Sequence, residues 1–201
     1  MPFLVPEQID KHILKIWAFR SVQSRTGLTY ALWKNAFEQA QKGLRVLVFD
    51  EMLGLPNTPY KNKKETNIPQ VFAGNLPLNT LIDSTNNVDF IAGLTKTNLN
   101  ALSTHKQNHL KTELLTLAQN YDLILLDSAF QRHSPFIEPT HTFWVAQPDQ
   151  KMILKVLQCA PNGADIILNK ISKEDDLLWL STWLKQLSPK SCIYQQIYSQ
   201  K

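Results

Sequence analysis

Cysteine, membrane-length apolar runs and targeting signals are scarce or absent in this chain of 201 residues. Its two cysteines, Cys159 and Cys192, match no metal-binding or redox spacing, so the sequence predicts buried free thiols in a reducing cytoplasm. No apolar run reaches the roughly 18 residues of a membrane span, and no charged-then-apolar signal peptide opens the chain. We therefore expect a cytoplasmic protein without a transmembrane segment.

Positive charge is in excess but dispersed. The formal net charge is +4 and the sequence pI is about 9.0, and the densest cluster, Lys61–Lys64, is typical of a solvated loop. Trp17, Trp33 and Trp144 are expected in the core rather than as base-stacking platforms. The sequence thus predicts no nucleic-acid site. It contains 43% hydrophobic residues, enough for one well-cored domain expected to span residues 1–201.

Short apolar runs alternate with segments of helical periodicity. This alternation predicts βαβ units with right-handed crossovers, and hence an α/β fold with a mostly parallel sheet flanked by helices on both faces. The predicted strands cover residues 12–19, 45–50, 88–94, 121–127, 142–146, 164–169 and 192–198. The predicted helices cover residues 27–42, 68–73, 110–120 (with a start near Ser103), 150–158 and 174–187. Ligands in such sheets bind at the carboxyl ends of strands, which here are 19–29, 50–57, 127–130 and Asn169.

The loop between the first predicted strand and helix reads QSRTGLT, from Gln23 to Thr29. At such a junction the helix N-terminus offers free N–H groups and the positive end of its dipole to a phosphate. This loop has one glycine, Gly27, and no lysine. Taken alone, it fits either a phosphate loop that has lost its chemistry or an ordinary strand-to-helix turn.

The number of residues between this loop and later positions is more informative than the loop sequence itself. Thr29 lies fourteen residues before Gly43 and twenty-one before Asp50, which opens the stretch DEMLGLPN. This spacing resembles that of the MinD/ParA family of deviant P-loop ATPases (SIMIBI class), with MinD and the flagellar-number regulators FlhG/FleN as the nearest patterns. That family has a KGGVGK[ST] loop ending on the hydroxyl residue and a D-x-D-[LI]-G-L-x-N stretch after the second strand.

Further segments follow in the order of that family. They are NIPQVFAGNLPLNTLID at 67–83, VDFIAG at 88–93, YDLILLDSA at 121–129, FWVAQPD at 143–149 and IILNK at 166–170. The resemblance therefore covers residues 12 to 198. It implies a P-loop NTPase-type fold and a nucleotide site at the loop.

Departures from the family pattern fall on the residues that carry its chemistry. Where the family has the lysine that reaches the β- and γ-phosphates, this chain has Leu28. Where the family has the signature lysine that crosses the dimer interface, this chain has Gln23. Ser24 and Arg25 replace two glycines of the family's loop. Met52 replaces the second aspartate of D-x-D, which activates the attacking water in the family. Phosphoryl transfer depends on positioning and on electrostatic stabilisation of the phosphate oxygens. We therefore expect a pseudo-ATPase that has lost hydrolysis.

Other family positions are retained. Thr29 and Asp127 are expected to hold Mg²⁺ if nucleotide binds, Gly27 opens the helix, and Asn169 stands where the family contacts adenine. Arg25 is a candidate replacement for a phosphate-clamping lysine, and Asp50 remains at the end of the second strand. The alternative interpretation is structural: a capping Thr29, a strand-end Asp127 and a turn residue at Asn169. The expected cofactor is therefore none, or weakly bound ATP with Mg²⁺.

Three other patterns favour ordinary structural roles. His105, His109 and Glu113 share one helix face with metal-compatible spacing, but without a further ligand a solvated face is favoured. Asp127-Ser128 and His133 lack the elbow of a serine nucleophile. The Trp- and Leu-rich segment 176–187 is predicted to cover the sheet rather than to lie in a membrane interface.

The resemblance implies action through protein partners, as a homodimer or a heterodimer with an active relative. The process it suggests is control of flagellar number or placement, or of cell division, and the apolar stretch Leu53–Pro56 is a candidate interface. MinD-like proteins carry a membrane-targeting helix at the far C-terminus, which is not expected here because the chain stops at Lys201. Two alternatives stay open: a slow but functional ATPase that uses Arg25, and a structural subunit of a secretion or polysaccharide-export assembly.

Overall fold

The structure is a computed structural model that describes residues 14–23, 25–50, 68–91, 103–128, 137–160, 162–171 and 174–197. Within them the strands are β1 (Lys15–Arg20), β2 (Val46–Asp50), β3 (Asp83–Thr85), β4 (Val88–Ile91), β5 (Leu123–Asp127), β6 (His141–Ala146), β7 (Asp165–Ile171) and β8 (Cys192–Ile197). The α-helices are α1 (Leu28–Gln41), α2 (Ile68–Ala73), α3 (Thr104–Ala118), α4 (Gln150–Cys159) and α5 (Glu174–Leu187). A 3₁₀ turn spans Leu78–Leu81.

The strands form one sheet in the order β3-β4-β2-β5-β1-β6-β7-β8. Every described neighbour pair is parallel except β3 with β4, which is antiparallel. β5 is fully buried between β1 and β2. These pairings confirm the predicted mostly parallel α/β sheet.

Helices cover both faces of the sheet, as predicted. On one face, α1 packs Leu32 and Ala36 against alternate side chains of the central strands, such as Phe19 and Leu125. On the other face, α2 and α3 pack over β1, β2 and β5, while α4 and α5 pack over β6 and β7. Trp17, Trp33 and Trp144 are buried in these cores, which confirms that interpretation.

Local signals explain most element boundaries. The Ser103 hydroxyl accepts a hydrogen bond from the N–H of Lys106, so α3 begins at Thr104, near the predicted start. Gly43 adopts φ 86° just after α1 and ends it. The β3–β4 hairpin was not predicted, although its turn residues Asn86 and Asn87, at φ 48° and 63°, are the type that such turns require.

The prediction that both cysteines are buried is wrong. Cys159 and Cys192 are exposed free thiols. Cys159 is the last residue of α4 and lies off the helix face that buries Met152 and Val156. Cys192 opens β8, which lies at one end of the described strand order and has a strand neighbour on one side.

The two thiols are expected to react at different rates. Partial burial, together with the charge and hydrogen bond of Asp165, raises the pKa of Cys192 and reduces its thiolate fraction. In Ellman's assays at pH 8, Cys192→Ser, which keeps Cys159, should therefore react severalfold faster than Cys159→Ser. Equal rates, or a faster Cys192, would contradict this assignment.

The His105, His109 and Glu113 row lies along α3 as predicted, but Glu113 has a structural task. Its Oε2 accepts the N–H of Leu78 at 2.9 Å, at the start of the 3₁₀ turn, while His109 Nε2 lies 3.7 Å from Glu113 Oε1. Among the residues that the structure describes, no group of three or more His, Cys, Asp or Glu residues could hold a metal ion. No helix in the described part of the chain is long and apolar enough to span a membrane.

Candidate functional site

The carboxyl ends of β1, β5 and β7 meet at one edge of the sheet because these strands run parallel. The loop from Ser21 to Gly27 follows β1 and leads into α1. Asp127 ends β5, and Asn169 lies in β7 near its carboxyl end. The topology therefore brings together the predicted loop, carboxylate and amide.

The side-chain oxygen atoms of Thr29 and Asp127 lie close together at the first turn of α1. The Thr29 hydroxyl donates to Asp127 Oδ2 at 3.0 Å. Asp50, at the end of β2, is the register partner of Asp127, and both carboxylates are buried. Hydroxyl and carboxylate oxygens are the ligands that Mg²⁺ prefers.

Amide side chains from two further strand ends hold the loop by its carbonyl oxygens. Asn169 Nδ2 donates to Thr26 O at 2.9 Å and to Gly27 O at 3.3 Å. Gln147, just after β6, donates from Nε2 to Arg25 O at 3.1 Å. The loop is thus fixed by the protein's own side chains.

Two loop residues adopt left-handed backbone conformations. Arg25 has φ 61° and Gly27 has φ 83°. A Cβ on Gly27 would lie 1.9 Å from Asn169 Nδ2, so this position excludes any side chain. Gly27 is therefore required both for its backbone conformation and for the close approach of Asn169.

Leu28, which the sequence pattern places at the family's lysine position, packs into the core. Its side chain is buried in the cluster that α1 forms with β1 and β5, which includes Phe19 and Leu125. Gln23, which the sequence pattern places at the signature-lysine position, is exposed, as is Arg25. Positions Ser24 and Met52, together with Leu53–Pro56 and His133, lie outside the described residues.

Known proteins resemble this chain in structure, and the three described here share 16–20% sequence identity with it. No family model and no curated relative matches the sequence. A plasmid partition protein from Borrelia burgdorferi, solved bound to AMPPNP, superimposes with a TM-score of 0.67 at 20% identity over 93% of this chain and 87% of that one. The Aquifex aeolicus MinC:MinD cell division complex gives a TM-score of 0.65 at 16% identity over 91% of this chain and 82% of that one. MinD from Pyrococcus horikoshii with Mg-ADP gives 0.55 at 19% identity over 82% and 73%.

The chain has the ParA/MinD-type P-loop ATPase fold. This agrees with the fold that the spacing of Thr29, Gly43 and Asp50 implies.

The site fits part of a magnesium nucleotide. Thr29, Asp50 and Asp127 supply oxygen ligands suited to Mg²⁺. Asn169 Oδ1 is buried without a hydrogen-bond partner among the described residues, while its Nδ2 is used to hold the loop. A phosphate-binding lysine is not offered by Leu28, which the sequence pattern places at that position and whose apolar side chain lies in the core.

Sequence reasoning missed Gln147 and Thr26. Gln147 directly follows β6, so the rule that ligands gather at the carboxyl ends of parallel strands could have identified it. Thr26 contributes a backbone carbonyl, which side-chain chemistry does not reveal.

A recess of about 600 Å³ lies at the opposite, amino-terminal edge of β2, β4 and β5. Several of its lining residues are held by hydrogen bonds: the hydroxyls of Tyr121 (2.8 Å) and Ser84 donate to Asp89, and Arg45 forms a bidentate pair with nearby Asp122. These bonds link β3, β4 and the residues that precede β2 and β5 at this edge of the sheet.

The Tyr121–Asp89 hydrogen bond makes stability depend on pH. Burial, the bond to Asp89 and its negative charge raise the pKa of Tyr121. The stabilisation is therefore complete below the ordinary tyrosine pKa of about 10 and is lost as pH rises above it. In urea titrations we expect Tyr121→Phe to cost about 1 kcal/mol at pH 7 and less at pH 11. A cost that is independent of pH would contradict this assignment.

Proposed function

We propose that this chain is a MinD/ParA-type protein, FlhG-like in pattern and a single domain over residues 1–201, that no longer hydrolyses ATP and acts by binding protein partners. The observation that carries the proposal is Leu28, whose side chain is buried in the core where the family places its phosphate-binding lysine. Each lost preorganised contact to the transition state is typically worth about 3 kcal/mol, or about 100-fold in rate. Here two lysine positions and the water-activating aspartate position have changed together.

The tethered loop supports the same conclusion. Asn169 and Gln147 hold the carbonyls of Thr26, Gly27 and Arg25. These bonds keep the loop folded without a phosphate to organise it. Retained Mg²⁺-type ligands at Thr29, Asp50 and Asp127 then allow weak nucleotide binding without turnover.

The process we propose is control of flagellar number or placement, or of cell division, in the cytoplasm. Its support is the sequence pattern around Thr29 and Asp50, and the fold shared with plasmid partition and cell division proteins. The partner is a protein: a second copy, an active relative, or another component of the positioning machinery.

Nucleotide binding and phosphate release test the proposal directly. We expect titration with a fluorescent ATP analogue and Mg²⁺ to show weak or no binding, and phosphate release to equal that of the Asp127→Ala variant. Turnover that Asp127→Ala abolishes would overturn the proposal in favour of a slow ATPase. Co-purification with membrane export machinery, unaffected by Thr29→Ala, would instead favour a structural subunit.

Restoring the lysine is expected to harm the fold rather than to revive catalysis. Leu28→Lys buries an ammonium group among apolar side chains and should cost about 2 kcal/mol of unfolding free energy. Gln41→Lys is the matched control, because Gln41 lies on the same helix but is exposed, and should change stability by less than about 0.5 kcal/mol. Chemical denaturation of both variants measures the difference. A stable Leu28→Lys variant that hydrolyses ATP would contradict the assignment.

A further inference from the structure

The outer surface of α4 and α5 exposes several large apolar side chains. Leu178 is 74% exposed, Trp179 52%, Leu187 49% and Leu154 42%. Single exposed apolar residues are common, but a cluster of them on neighbouring elements marks an interaction site. Exposed large hydrophobic residues elsewhere in the described part of the chain are Tyr30 and Leu115, which lie on α1 and α3.

These residues border one seam between the two helices. α4 and α5 pack on the same cluster, which includes partly buried Leu157 and Trp183. Leu154 lies one turn from Leu157 on α4, and Trp179 lies one turn from Trp183 on α5. α4 and α5 belong to neighbouring right-handed crossovers on one face of the sheet. In that arrangement the Leu154–Leu157 side of α4 faces the Trp179–Trp183 side of α5. We call the surface formed by Leu154, Leu157, Trp179, Trp183 and Leu187 the α4–α5 surface.

The two tryptophans are already ordered. Their rings stack with centroids 6.0 Å apart and an interplanar angle of 7°. Leu180 and Leu184 supply the buried contacts of α5, so Trp179 is not needed to anchor the helix to the sheet. A rigid, half-exposed aromatic pair costs little entropy on binding and is the kind of anchor that dominates interface energies.

Positively charged residues surround the α4–α5 surface and favour a partner with acidic residues. Exposed lysines flank it on α4, at Lys151 and Lys155, and at the carboxyl end of α5, at Lys185 and Lys190. The carboxylate of Asp149 is used to cap α4 through the N–H of Met152. These lysines would repel a second copy of the same surface.

We propose that the α4–α5 surface binds an amphipathic helix of a protein partner, with its apolar stripe on Trp179 and Leu154 and its acidic flank near Lys155 and Lys185. Helices bind such grooves through anchors spaced three or four residues apart. This inference rests on the proposed role in protein binding and assigns that role to a surface separate from the nucleotide site.

A displayed library of amphipathic helices tests the inference. The library varies the flanking positions among glutamate, glutamine and lysine, and is selected against the full-length protein. We expect glutamate-flanked helices to be enriched, and their affinity, measured by fluorescence anisotropy, to fall at least tenfold in Leu154→Glu and in Trp179→Ser. Leu115→Glu is the matched control, because Leu115 is 43% exposed on α3, and should leave affinity unchanged.

Several outcomes would overturn the inference. These are enrichment of lysine-flanked helices, no enrichment at all, or affinities that Leu154→Glu leaves unchanged. Binding to phosphatidylglycerol vesicles that Trp179→Ser abolishes would assign the surface to lipid instead. Self-association that Leu154→Glu abolishes would assign it to a second copy. ATP hydrolysis is measured separately, so failure here and failure of the pseudo-ATPase proposal are distinguishable.

Discussion

Gly27→Ala is expected to lower the free energy of unfolding by about 4 kcal/mol, because two costs act together. A side chain at φ 83° strains the backbone, which costs about 1–3 kcal/mol. The new Cβ would lie 1.9 Å from Asn169 Nδ2 and would push the amide away from the carbonyls of Thr26 and Gly27. Urea denaturation followed by circular dichroism measures the change.

Gly43→Ala separates these two costs. Gly43 has a similar φ of 86°, but a Cβ at this position would have no neighbouring atom within 4 Å. We therefore expect the backbone cost alone, about 1 kcal/mol. Equal losses of unfolding free energy in the two variants would show that the contact between Gly27 and Asn169 does not contribute to stability.

Asn169→Asp is expected to cost about 4 kcal/mol at pH 7 although its shape is unchanged, because it leaves a buried charge without a partner. The amide donor that bonds Thr26 O at 2.9 Å becomes an oxygen, so a buried carboxylate faces two carbonyl oxygens. Asn169→Ala removes the donor without adding charge and should cost about 2 kcal/mol. Gln147→Ala removes a more exposed tether and should cost less than about 1 kcal/mol.

The pH dependence of the Asn169→Asp variant identifies the cause. Burial beside carbonyl oxygens raises the pKa of the introduced carboxyl, so the penalty is present above that pKa and falls as pH approaches the ordinary aspartate value of about 4. Denaturation at pH 7 and pH 4.5 should show a smaller cost at the lower pH. A cost equal to that of Asn169→Ala at both values would contradict a charge effect.

The order of elements was predictable because each carries its own periodic or capping signal. The bounds of α2 and α5 match those predicted, and β2, β5 and β7 differ by at most two residues at either end. The β3–β4 hairpin was missed because β3 has three residues and too short an alternation to detect. Exposure of Cys159 and Cys192 was missed because burial depends on which neighbouring elements cover a residue.

The sequence by itself determined the strand–helix alternation, the sequence separations from Thr29 to Gly43 and Asp50, and the absence of lysine from the loop Gln23–Thr29. These are properties of residue type and spacing along one chain. The tertiary structure alone decided that Asn169 and Gln147 tether the loop, that Leu28 enters the core, and that Trp179 remains at the surface. The physical reason is that each of these depends on contacts between strands or helices that the parallel sheet brings together from distant parts of the chain.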